Sequence, residues 1–313
     1  MTVQPSVPRR QRGDRIVIEV PSINRGYEAY GKLCELWNAV EGTSATSIVF
    51  DFSRCTFLSQ TAVAFLGALA RWIETCSGEA RFNWRSLSLR VLTNLRQNGF
   101  AHAFGQAYGP WAGNSVGYRE DRRDDELELI GYLKTKWLVD DWVHLSDDLR
   151  NYVAGTVWEI YANAFEHASS AIGVYTCGQH YPRALRLDLS VIDFGVGIPA
   201  NVREYIGKPD FSPADAMEWA LEKGNTTNPK GLGRGLGLDF LREFILLNKG
   251  SLEIYSHAGF LGIGTDGTSP QAGGPFFGSI SGKVFPGTVV VLTLRCDDIR
   301  YSFGSEQTKK PLF

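Results

Sequence analysis

Paired cysteines are what this sequence lacks first. Cys34, Cys55, Cys76, Cys177 and Cys296 are scattered, odd in number and form no C-x-x-C pair. That spacing argues against a disulfide framework or a zinc site and fits a reducing compartment. No apolar run approaches the ~20 residues of a membrane span, and no charged-then-apolar leader opens the chain. The expectation is a cytoplasmic protein with no membrane contact. Charge of one sign is missing too: Asp, Glu, Lys and Arg make up 21% and the net charge is −2. Such a balance gives no whole-protein attraction to nucleic acid, so no nucleic-acid partner is expected. One basic cluster, Arg9, Arg10, Arg12 and Arg15, lies in a polar, Pro-containing start. It reads as a solvated, frayed tail, with a nucleic-acid arm as the alternative. No internal repeat or low-complexity tract is visible.

What remains is a chain rich enough to pack. With 313 residues and 43% hydrophobic content, two domains are the natural expectation. Ile16–Val20 and Ser47–Phe52 are short β-type runs. Tyr27–Val40 has apolar residues at helical spacing. Thr61–Ile73 is small and apolar on nearly every side and reads as a buried helix. Leu87–Leu92 looks like another strand and Thr93–Phe104 like a short helix. The alternation predicts a small α/β layer structure. The stretch 113–127, glycine-bearing and charge-dense, breaks the pattern and is read as a linker.

The second half opens on a helix from Ser146, an N-cap with Asp147 and Asp148 in the first turn, to about His167. Strands follow at Ile172–Cys177 and Ala184–Ile192, helices at Pro213–Lys223 and Leu236–Asn248, and strands at Ser251–His257 and Thr288–Arg295. Gly259–Gly282 is read as a loop with at most short pairing. The resulting boundaries are a tail 1–15, an α/β domain 16–112, a linker 113–127, a second domain 128–298 and a tail 299–313.

Three elements carry chemistry. Glu159 and Asn163 are four apart, on one helix face. A metal and a water would satisfy both, Asn163 oxygen on Mg²⁺ and Glu159 holding the water; an ordinary exposed polar stripe is the alternative. In Asp193-Phe-Gly195-Val-Gly197-Ile198-Pro, a strand runs into an acid and two alternate glycines, which permit a sharp turn and close ligand approach. Asp193 can accept a hydrogen bond from an exocyclic amine such as that of adenine, or it can simply cap a helix. Gly231-Leu-Gly233-Arg-Gly235-Leu-Gly237-Leu leads into an apolar helix, leaving backbone N–H groups and the helix dipole to face phosphates. It is neither a P-loop nor a dinucleotide fingerprint, and a flexible linker is the alternative.

Together these segments resemble the N, G1 and G2 boxes of the GHKL ATPases, which include gyrase, histidine kinases, MutL and anti-sigma serine kinases. Pro286-Gly287-Thr288-Val-Val-Val resembles that family's last core strand, whose Thr supports the adenine-binding Asp. The resemblance spans roughly Ser146–Cys296. It implies a Bergerat fold, a mixed-sheet/helix sandwich binding ATP and Mg²⁺ between the helices and a mobile lid. Asn163 would coordinate Mg²⁺, Asp193 and Thr288 would read the adenine, and Gly195, Gly197 and Ile198 would pass the nucleotide. Gly231, Gly233, Gly235, Leu236 and Gly237 would wrap the phosphates, with Lys230 and Arg234 as phosphate contacts and 207–230 as the lid.

The segment Ser47–Leu66 is similar to the strand–turn–helix of STAS domains. The family's phosphoacceptor position falls on Gln60, leaving Ser59 and Thr61 as the hydroxyls nearby. Three activities fit: an ATPase or ATP-driven switch acting on a protein partner or a homodimer, with Glu159 catalytic; a serine/threonine kinase of the anti-sigma type; or a non-hydrolysing ATP-dependent binding module. The resemblance sets one expectation against fast hydrolysis. Gyrase-like members carry a transducer domain, and only about seventeen residues follow Cys296 here.

Overall fold

The computed structural model describes residues 14–44, 46–222, 236–264, 275–282 and 284–307. Elements alternate first as β1 (Arg15–Glu19), α1 (Tyr27–Glu41), β2 (Ser47–Asp51), α2 (Gln60–Thr75) and β3 (Glu79–Phe82). The three strands pair in parallel with β2 central. Its Ile48, Val49 and Phe50 are all buried, as a strand covered on both faces requires. Two short helices follow, α3 (Leu89–Gln97) and α4 (Phe100–Ala103). The strand expected at Leu87–Leu92 is therefore a helix start. Ser88 caps it by accepting from the Val91 amide at 3.4 Å, and Val91 and Leu95 turn inward at i and i+4. Gly99, at φ 89°, separates α3 from α4.

The rest of the chain runs β4 (Ser115–Asp121), α5 (Glu126–Tyr132), a π-helical turn at Leu133–Trp137, α6 (Asp147–His167), β5 (Val174–Tyr181), β6 (Arg186–Asp193), α7 (Ile198–Ile206), α8 (Pro213–Leu221), α9 (Leu236–Leu247), β7 (Ser251–Ser256), β8 (Gly259–Gly264), β9 (Phe276–Ser279), β10 (Thr288–Arg295) and α10 (Gly304–Gln307). The seven strands form one sheet in the order β4-β5-β6-β10-β7-β8-β9, and each described pairing in it is antiparallel. The sheet/helix sandwich expected for 128–298 is present, with a larger sheet than the sequence suggested.

Three expected boundaries shift. The stretch read as a linker holds β4, the sheet's edge strand, paired with β5; its charges are used in place, Arg71 on Glu120 and Arg119 on Asp121 and Glu128. The stretch read as a glycine-rich loop holds β8 and β9. Gly259 and Gly264 fit there because a Cβ would strike Met217 of α8 or Ser251 of β7. The stretch read as a C-terminal tail is tied to α6: Tyr301 bridges Leu145, and the Ser146 hydroxyl donates to Glu306 at 2.8 Å. The tail expected at 1–15 lies mostly outside the described residues, and β1 already begins at Arg15.

Alternation along β6 explains the layering. Leu187, Leu189 and Val191 pack on one face in a core with α5, α6 and α9. Ile192 and Phe194 point the other way, into a core with α1, α2 and the three-stranded sheet. Their polar neighbours on that face, Asp188 and Ser190, meet α2: Gln60 Nε2 donates to Asp188 Oδ2 at 3.2 Å, and the Thr61 and Ser190 hydroxyls share a hydrogen bond of 2.7 Å. Arg25 adds a bridge to Glu253 at 3.5 Å. The N-terminal unit is therefore docked on the back of the large sheet and shares its core. All five cysteines are buried free thiols. Among the described residues no helix is long and apolar enough to cross a membrane.

Candidate functional site

The end of β6 is where the expected site residues converge. Asp193 closes the strand opposite Thr288 of β10 and Val174 of β5, and it is 4% exposed. Its Oδ1 accepts from the Gly195 amide at 2.9 Å, and Thr288 hydrogen-bonds the same carboxylate. Burial nevertheless dominates: desolvation pushes its pKa from 3.8 up to about 7, against the lowering effect of those hydrogen bonds. A carboxylate has roughly four lone-pair sites, so Gly195 and Thr288 leave it capacity to accept from a ligand.

The turn after Asp193 is built by backbone crowding. The Val196 amide donates to the Ala168 carbonyl at 2.9 Å. A Cβ on Gly195 would collide with that same carbonyl, and Gly197, at φ 79°, approaches the Pro286 carbonyl. These two glycines are thus required by neighbouring protein chain, whereas the resemblance assigned them to nucleotide passage. The Ile198 amide donates to Ser256 Oγ at 2.8 Å, and Ser256 also bonds the Thr288 hydroxyl at 2.9 Å. Ser256 escaped the sequence reading; a serine closing β7 opposite Thr288 is visible only once register is known.

Ala168 is the C-cap of α6, and the Asn201 side chain of α7 closes the same helix end by donating to the His167 carbonyl at 2.9 Å. The last turns of α6 therefore abut the Asp193 turn. Those turns carry Glu159, half-buried, and Asn163, exposed, and the Asn163 amide has no hydrogen-bond partner among the described residues. No group of three or more His, Cys, Asp or Glu able to hold a metal occurs among the described residues. The start of the stretch expected as a lid is α8, whose Ala216 and Met217 are buried. Lys230, Gly231, Gly233, Arg234 and Gly235 lie outside the described residues; Leu236 and Gly237 begin α9. Ser59 and Thr61 are 2% and 7% exposed, Ser59 capping α2 by accepting from Ala62, so neither hydroxyl is presented to a modifying enzyme.

Comparison with curated proteins gives no match. Residues 151–297 match the family model described as histidine kinase-, DNA gyrase B-, and HSP90-like ATPase. That span runs from early in α6 past the end of β10 and includes Asp193 and Thr288, and this part of the chain is similar to GHKL-type ATP-binding domains.

Proposed function

We propose that the protein is an ATP- and Mg²⁺-dependent switch that hydrolyses ATP and acts on a protein partner or a second copy of itself. The observation that carries the reading is Asp193: a buried carboxylate with spare acceptor capacity, at a strand end that abuts the last turns of α6. Asp193, supported by Thr288, would accept the adenine amino group. Asn163 offers one exposed amide oxygen, a donor that suits Mg²⁺, which keeps most of its shell as waters and phosphate oxygens. Bound there, the ion would neutralise phosphate charge.

Glu159 lies one helical turn before Asn163 on the same face. It would orient a water and take its proton during in-line attack. Burial of Ser59 and Thr61 gives a kinase reading no internal acceptor at the STAS-like position. Single-turnover assays with γ-labelled ATP test the proposal. Phosphate release abolished by Glu159→Gln, with ATP binding retained, is expected. Label transferred to protein would replace the ATPase by a kinase; unchanged release would remove Glu159 from catalysis.

A further inference from the structure

A cavity lined by both polar and apolar side chains lies away from Asp193, where the two units meet. It has a volume of about 260 Å³ and is walled by the 56–58 loop, the start of α2, α3, and the β4–β5 edge of the large sheet. Six carboxamides contribute to its lining: Gln60, Asn94, Gln97, Asn98, Asn114 and Gln179. Among the described residues Arg90 is the only charged one that lines it, with its guanidinium 5.9 Å over the Phe57 ring.

The amides are held in fixed orientations. Asn94 Nδ2 donates to Gln179 Oε1 at 3.0 Å, and Gln179 Nε2 donates to the Asn114 carbonyl at 2.8 Å. Ser115 Oγ donates to Gln97 Oε1 at 2.9 Å, and Tyr181 donates to Gln60 Oε1 at 3.1 Å. What is left over is ordered. Gln97 Nε2 makes no hydrogen bond among the described residues, and Asn94 Oδ1 is met only by Asn98 Nδ2 at 3.5 Å. Asn94 and Gln97 are three apart on α3, so a donor and an acceptor stand side by side on one helix face.

The chemistry of that lining narrows the ligand. With no carboxylate it offers no countercharge to a cation, and one arginine does not balance a polyphosphate. Carboxamides pair with planar edges that alternate donors and acceptors, as Asn and Gln do with base edges. The volume falls below the ~300–1,000 Å³ of drug-sized sites, which suits a single ring system with Phe57 and Arg90 available to stack on it. We infer that this cavity binds a neutral nucleobase or nucleoside, read by Asn94 and Gln97, at a site separate from ATP. Because the ligand would touch α3 and β5 together, it would bridge the two units.

Calorimetric titration of the full chain with free adenine, guanine, cytosine and uracil, and with their nucleosides, tests this. At least one should bind, with affinity falling about tenfold or more in Asn94→Leu and in Gln97→Leu and staying within about twofold in Asp193→Asn. Gln97→Glu, isosteric and still able to accept from Ser115, provides the same readout if a leucine variant fails to fold. Absence of binding by every base and nucleoside at millimolar concentration overturns the inference. So does binding lost in Asp193→Asn but kept in the α3 variants, which would place the ligand in the ATP site. Binding of a hexose in place of any base overturns the ligand class.

Discussion

Asp193 keeps its charge at a cost to the nucleotide-free fold. Its carboxyl titrates near 3.9 in an unfolded chain and at about 7 when buried. Between those values the folded protein holds the extra proton. The contribution to stability is therefore full below about pH 4 and is lost as the pH rises through about 7. Asp193→Asn should remove that slope, so that its melting temperature gains on the wild type from about pH 5 to about pH 8 in thermal scans without nucleotide. The same variant should weaken ATP by about tenfold or more in equilibrium dialysis, because the amide presents a donor where the adenine amine needs an acceptor. Glycine offers a second residue-scale contrast. Gly195→Ala forces a Cβ into the Ala168 carbonyl, while Gly207, at φ 67°, has open space around it. The first should cost about 3 kcal/mol or more through the clash and the second about 1–2 kcal/mol through its left-handed backbone alone, measured by urea denaturation; a smaller loss at Gly195 than at Gly207 would show that the turn relaxes freely.

At the scale of elements, what could be read in advance was what local pattern decides. The Ser146 cap, the all-round apolar face of α2 and the alternation of β6 each follow from side-chain chemistry at a fixed period. Register does not, and its consequences were hidden. Asp188 and Ser190 are the polar half of a strand's alternation, and only pairing with Gln60 and Thr61, some 128 and 129 residues away, turns them into an interior seam. Likewise β4 reads as a charged linker because an edge strand needs no apolar run when Arg119 and Arg71 neutralise its acids. The meeting of Asp193 with Thr288 was legible through motif order; Ser256 and the Ala168 contact were not, since both belong to backbone meetings between distant segments. Asp188 gives the test at this scale. Burial raises its pKa despite Arg186 and Arg25, and Gln60 is one of its partners. Gln60→Leu strips a hydrogen bond from a buried carboxylate and should cost about 1–3 kcal/mol, whereas replacing the exposed Leu89 should change stability by about 0.5 kcal/mol or less.

For the molecule as a whole, one core joins the N-terminal unit to the back of the large sheet. Phe65 of α2 lies 5.1 Å from Phe194 and 5.0 Å from Phe285, with Trp37 of α1 beside both. Calorimetry should therefore record a single cooperative transition, with the calorimetric and van't Hoff enthalpies equal. Phe194→Ala, which opens this cluster, should cost about 3–5 kcal/mol and lower the midpoint of that one transition; two resolved peaks would show that the units melt independently.

The same aromatic cluster makes the protein a carrier of its own optical signal. Trp37 is 6% exposed, and it stands 5.5 Å from Phe194, the residue that follows Asp193 in the chain. Indole emission is sensitive to small changes in the packing and polarity around the ring. A displacement of the β6 terminus on nucleotide binding at Asp193, as proposed, would reach Trp37 through one peptide bond and one ring contact. The difference spectrum between wild type and Trp37→Phe thus isolates, without any attached dye, the moment at which events on one face of the sheet are felt on the other.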